Sequence, residues 1–121
     1  MNQFRGIRGA TTSDGNSKSE IEEATLELLQ TCINANDVEV EDIAAAIFTV
    51  SQDITELNPA TVARKNLNWN FVPLLDVYQA PISSNLKYCI RVLLLVNSDK
   101  SQEELSENFQ YLKNAKHLRG N

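Results

Sequence analysis

CIRVLLLV, residues 89–96, is an aliphatic run broken by one charge, Arg91. Its β-branched and aliphatic side chains are a strong strand signal, and the spacing predicts a strand from Tyr88 to Asn97. The neighbours of Arg91 alternate to both faces of that strand, and neither face carries the polar residues that meet water. Burying an unpaired charge costs several kcal/mol. Arg91 therefore calls for an anionic partner, either a resident carboxylate in a structural ion pair or a bound ligand.

Working outward, IAAAIFTV at 43–50 is bounded by Asp42 and by Ser51-Gln52-Asp53. Its lack of charge suits a strand buried on both faces, although the alanines leave a helix open. Phe71 to Val77 is aromatic and aliphatic enough for a further strand. Phe4 to Thr12 alternates arginine with small or apolar residues and also reads as a strand. Gly6 and Gly9 weaken it, which suggests that another backbone or a ligand comes close. Arg8 shares a strand face with Phe4 and Gly6, while Arg5 and Ile7 point the other way, so only one of the two arginines reaches a given pocket. Arginine suits carboxylates because its planar fork donates paired hydrogen bonds. A surface strand with two solvated arginines is the competing reading.

Ser17-Lys18-Ser19-Glu20 is a capping box that predicts a helix start. Ile21, Ala24, Leu28 and Cys32 recur at helical spacing, with Ile33 beside them, and Glu20, Glu22 and Glu23 favour the positive end of the helix dipole. The segment from Asn34 to Asp37 ends that helix. Asn58-Pro59 supplies an N-cap and a first-turn proline for a short helix to about Asn66, with Arg64 in its last turn. Ser101-Gln102-Glu103-Glu104 is a second capping box, continued at helical spacing by Leu105, Phe109 and Leu112. A short extended piece is expected in AKHLRGN at 115–121, and Ser13–Ser19 and Gln79–Asn85 read as loops. The order βαβαββα predicts an α+β or mixed-sheet fold, a mixed β-sheet packed with helices.

A chain of 121 residues supports one core, so a single domain over 1–121 is expected. Apolar residues at 42% and charged ones at 22% place it among globular proteins. A formal charge of -5 argues against a binder of nucleic-acid backbones. Nothing approaches the roughly 20 apolar residues of a membrane helix, and MNQFRGIRGATT has no uninterrupted apolar segment, so a soluble, cytoplasmic protein is expected. Cys32 and Cys89 sit in apolar surroundings and read as core residues rather than as a disulfide or metal site. There is no phosphate loop, no GxGxxG and no zinc spacing. The lone His117 reads as a surface or packing residue, and no serine sits in a nucleophile elbow. A mechanism without a covalent step and without a metal fits best.

Together, RGIRGATT at 5–12, WNFVPLL at 69–75, CIRVLLLV at 89–96 and YLKNAKHLR at 111–119 resemble the AroH-class chorismate mutases, the trimeric, monofunctional α/β family. The resemblance implies a homotrimer with a pseudo α/β-barrel core and active sites between subunits. It implies rearrangement of chorismate to prephenate, in aromatic amino acid biosynthesis, with no cofactor. Arg8 and Tyr111 would bind substrate, and Arg91 would reach both a carboxylate and the ether oxygen of the breaking bond. PLLDVYQAP at 73–81 would contribute Leu74, Leu75, Asp76, Val77, Tyr78 and Gln79, and the C-terminal tail Leu118. Ala60, Thr61 and Arg64 would come from the neighbouring subunit. The catalytic set implied is Arg91, Arg8, Gln79 and Asp76.

The chain departs from the family pattern at two of these positions, where Gln79 stands for a Glu and Asp76 for a Cys. Gln79 still accepts a hydrogen bond, but losing charge assistance removes about 1 kcal/mol or more, a step about tenfold slower. Asp76 is expected to compensate by pairing with Arg91. Positions three apart face opposite sides of a regular strand, so this requires a bend or bulge after Asp76. Asn58 replaces an aromatic residue and Thr61 a lysine, which leaves the rim less cationic and less closed. The alternative reading is a catalytically weakened diacid-binding or regulatory homologue; a third is an enzyme for another chorismate-derived enol ether.

Overall fold

The computed structural model describes residues 2–82 and 86–118. In chain order these form β1 (Gln3–Thr12), α1 (Lys18–Asn36), β2 (Ile43–Val50), α2 (Pro59–Leu67), β3 (Leu74–Tyr78), β4 (Cys89–Ser98), α3 (Gln102–Ser106) and β5 (Gln110–Tyr111), with 3-10 turns at Val40–Asp42 and Lys113–Ala115. The five strands make one mixed sheet in the order β3-β2-β4-β1-β5. β4 lies antiparallel to both β1 and β2, and the outer strands β3 and β5 run parallel to their neighbours. The α+β mixed-sheet expectation holds.

Helix α1 starts at a complete capping box, with the Ser17 hydroxyl accepting the Glu20 N–H and the Glu20 carboxylate accepting the Ser17 N–H. It ends at Asp37, whose left-handed backbone turns the chain out. Its stripe of Ile21, Ala24, Leu28, Leu29 and Cys32 packs with Phe48, Ile90, Val92, Leu94 and the fully enclosed Trp69 into one core on one side of the sheet. Cys32 and Cys89 are buried, free thiols, and burial pushes the Cys32 thiol up to about 12, which keeps it protonated.

β2 is not buried on both faces. Ile43, Ala46, Phe48 and Val50 face the core, while Ala45, Ile47 and Thr49 are only half-buried on the other side. β4 alternates in the same way, with Arg91, Leu93 and Leu95 half-buried. Helices α1 and α2 cover only one face, so the charge-free run marks an apolar open face as well as a core.

Close approach at β1 is real at Gly9, where an added Cβ would come within 2.6 Å of Cys32 Sγ and 3.2 Å of the Gln110 carbonyl. At Gly6 it would meet only Leu93, at an ordinary 3.6 Å. There the Gln102 amide instead bonds both the Gly6 N–H (2.9 Å) and its carbonyl (2.7 Å), standing in for a paired strand.

Helix α3 is shorter than its apolar spacing suggested. It stops at Ser106, and Phe109 and Leu112 lie beyond it. The chain turns there because β1 offers an unpaired edge: Gln110 and Tyr111 pair with Gly9 and Ala10, and the Leu112 N–H donates to the Ala10 carbonyl. Of the tail expected to be extended, the described part, to Leu118, is a 3-10 turn and bends; the rest lies outside the described residues.

Candidate active site

On the open face, strand register sets Arg8 beside Leu93 and Arg91 between Ala10 and Thr49. Ala10 in turn pairs with Tyr111. This brings Arg8, Arg91 and Tyr111 to one region across three strands. The placement of Arg91 depends on the start of β4, where Tyr88 adopts a left-handed backbone (φ 49°). The Asp53 carboxylate accepts the Tyr88 N–H at 2.9 Å, and Ser51 Oγ accepts the Cys89 N–H at 2.8 Å while donating to Asp53. Arg5, on the opposite side, is occupied: it donates to the Lys100 carbonyl and to Gln3. Arg8 is thus the β1 arginine that reaches the pocket.

A cavity of about 440 Å³ is lined by Arg8, Arg91, Thr49, Tyr78, Gln79 and by aliphatic groups from Ile47, Ile82 and Leu93. Its size falls in the range of about 300–1,000 Å³ typical of small-molecule sites. Among the described residues the sole ion pair is Lys100 with Asp37, far along β4 from this cavity, so neither arginine has a resident carboxylate. The structural ion pair foreseen as one answer for Arg91 is absent among the described residues.

Buried polar atoms in folded proteins are almost always hydrogen-bonded. Here Thr49 Oγ1, Gln79 Oε1, Arg91 Nε and Tyr111 Oη are all buried without a hydrogen-bond partner among the described residues. Thr49, Gln79 and Arg91 line the cavity and Tyr111 lies one strand beyond. The Gln79 amide is oriented by its surroundings, because Nε2 donates to the carbonyls of Thr49 and Cys89, each at 3.2 Å.

Asp76 does not join this group. The β2–β3 register is unbroken through Tyr78, with Asp76 opposite the core residue Phe48 and Val77 opposite Thr49, and the Gln79 N–H continues the ladder to the Val50 carbonyl. The bulge that would turn the carboxylate toward Arg91 is missing. Asp76 instead accepts the Ala60 N–H at 3.1 Å, at the start of α2, where the side chain of Asn58 makes no capping bond. Burial raises its carboxyl above the usual value, outweighing the opposing pull of the Ala60 N–H and of Arg64.

Strand alternation therefore splits the segment. Leu75, Val77 and Gln79 belong with the open face, and Leu74 and Asp76 with the α2 side, while exposed Tyr78 borders both the main cavity and a smaller hollow of about 120 Å³ beside Asn58 and Asp76. Ala60, Thr61 and Arg64 lie on α2, and Leu118 in the final turn; none lines the main cavity. Thr49, Ile47 and Leu93 were not singled out from the sequence. The usable signal was Thr49, the one polar residue in IAAAIFTV, directly across from Arg91.

Comparison with known proteins bears on this arrangement. The family model described as chorismate mutase type I matches residues 4–121. The chain is 40% identical over 116 residues to a chorismate mutase AroH of Thermus thermophilus, covering 95% of this chain and 93% of that one. It is 33% identical over 102 residues to a chorismate mutase AroH of Bacillus subtilis (strain 168), covering 84% and 80%. A solved chorismate mutase from Clostridium thermocellum superimposes with a TM-score of 0.86 at 37% identity, over 92% of this chain and 96% of that one. With its two arginines set on that shared sheet, the chain belongs to the chorismate mutase type I family.

Proposed function

We propose that this chain is an isomerase that rearranges chorismate to prephenate, with Arg91 as its main catalytic group. Chorismate carries two carboxylates, and its Claisen-type transition state gathers negative charge on the ether oxygen. No nucleophile or proton transfer is needed. A fixed guanidinium at that oxygen stabilises the transition state more than the ground state, and a shaped pocket holds the enolpyruvyl arm in the reactive conformation. Arg91 takes that role, Arg8 and Tyr111 bind and orient the substrate, and Gln79 accepts a hydrogen bond. The observation that carries the proposal is a cavity lined by two arginines that no carboxylate among the described residues pairs with.

The working unit is a homotrimer. The open sheet face leaves Phe4 61%, Leu75 60% and Val77 43% exposed, beside half-buried Ile47, Leu93 and Leu95, which is an apolar surface suited to a second copy. Within one protomer Ala60, Thr61, Arg64 and Asp76 lie away from the cavity, so they complete a neighbour's site rather than their own.

The direct test incubates purified protein with chorismate. Prephenate should form catalytically; none at high enzyme concentration overturns the proposal.

A further inference from the structure

A helix start leaves its first N–H groups without partners inside the helix. At α2, Pro59 has no N–H and the Thr61 N–H donates to the Asn58 carbonyl at 3.0 Å, so the Ala60 N–H, on a buried residue, is the one that needs an acceptor. Asn58 stands at the N-cap position, yet its side chain makes no capping bond. The acceptor is Asp76 Oδ1, at 3.1 Å, from the middle of β3. Strand direction permits this reach: β2 and β3 run parallel, so the crossover helix between them starts at the end where both strands finish. The start of α2 is thus fastened to the sheet, where the β2–β3 ladder fixes Asp76, as well as to the connection that precedes it.

Arg64 stands one turn beyond Ala60 on the same side of α2, and its charge acts on the Asp76 carboxyl. A guanidinium grips a carboxylate by paired bonds of fixed geometry, so a small shift of the helix that carries it weakens binding. We propose that Asp76 is a positioning residue that caps α2 from β3 and thereby sets where Ala60, Thr61 and Arg64 stand in the neighbouring subunit's site. The inference rests on the trimeric reading above and deepens it: Asp76 acts on that site through the helix, as a hydrogen-bond acceptor that an amide can replace. A carboxylate acting by its charge, whether on the neighbour's arginines or on the substrate, would be lost as fully in Asp76→Asn as in Asp76→Ala.

The experiment compares wild type, Asp76→Asn and Asp76→Ala. It reads kcat and KM for chorismate, and hydrogen exchange at the backbone N–H of Ala60 and at that of Gln79, which bonds the Val50 carbonyl at the end of the β2–β3 ladder. Asp76→Ala should raise KM about fivefold or more with kcat changing less, and Asp76→Asn should recover most of that loss. The Ala60 N–H should exchange about tenfold faster in Asp76→Ala but not in Asp76→Asn, while the Gln79 N–H keeps its wild-type rate in both. A KM unchanged or lowered by Asp76→Ala, an Asp76→Asn protein no better than Asp76→Ala, or equal acceleration at both N–H groups would overturn the inference. So would an unprotected Ala60 N–H in wild type, a measurement that needs no variant to fold. If wild type fails to turn over chorismate, the proposed reaction fails, and the exchange comparison still decides whether Asp76 holds α2.

Discussion

Arg91 is the residue whose chemistry the sequence exposes most clearly, because a guanidinium inside an aliphatic strand has few ways to be satisfied. Its partner could not be read from the same run: whether a carboxylate faces it depends on the register of three other strands. Asp76 shows why. Period-two alternation already placed it opposite to Gln79, and the unbroken β2–β3 ladder keeps it there, against the start of α2. Its carboxyl is raised by burial, so the folded chain holds that proton more tightly than the unfolded chain does. Its contribution to stability is therefore greatest at low pH and declines as pH rises from the ordinary value of 3.8 through the raised one. Asp76→Asn keeps an acceptor for the Ala60 N–H without the charge. Thermal melting should show the variant equal to or above wild type at pH 7, with the gap closing below about pH 4. A variant less stable at pH 7, with a deficit that vanishes on acidification, would reverse that sign.

At the level of elements, the helix starts were legible because a capping box is a local pattern, present in the structure at both Ser17 and Ser101. Helix ends and the two-residue strand β5 were not. They are decided by a distant strand edge, and Phe109 and Leu112 satisfy helical spacing equally well. The tight fit of α1 on β1 gives a sharp expectation at Gly9. Gly9→Ala should destabilise the protein by about 1–3 kcal/mol, because Cys32 Sγ and the Gln110 carbonyl leave no room for a methyl group. Gly6→Ala meets only Leu93 and should cost less. Denaturant midpoints for the two variants check this, and equal losses would contradict the packing account.

For the whole molecule, the sheet has one face covered by helices and one left open, a feature hidden from the sequence because alanine and isoleucine in β2 suit a core and an interface alike. If the open face joins three copies, each site takes Arg91 from one chain and Arg64 from another. Chains carrying Arg91→Ala and chains carrying Arg64→Ala should each be inactive alone. Co-assembled in equal amounts, they should regain activity, with about one site in four having both arginines. No recovery would place both groups in one protomer's site or neither. The most direct test of the central claim is the steady-state kinetics of Arg91→Ala with chorismate, set beside those of Arg8→Ala. Arg91→Ala should lower kcat by about 10²–10³-fold or more while Arg8→Ala acts mainly on KM, since in the proposed mechanism only the former group meets the oxygen where charge develops. An Arg91→Ala protein with near-normal kcat would contradict the account.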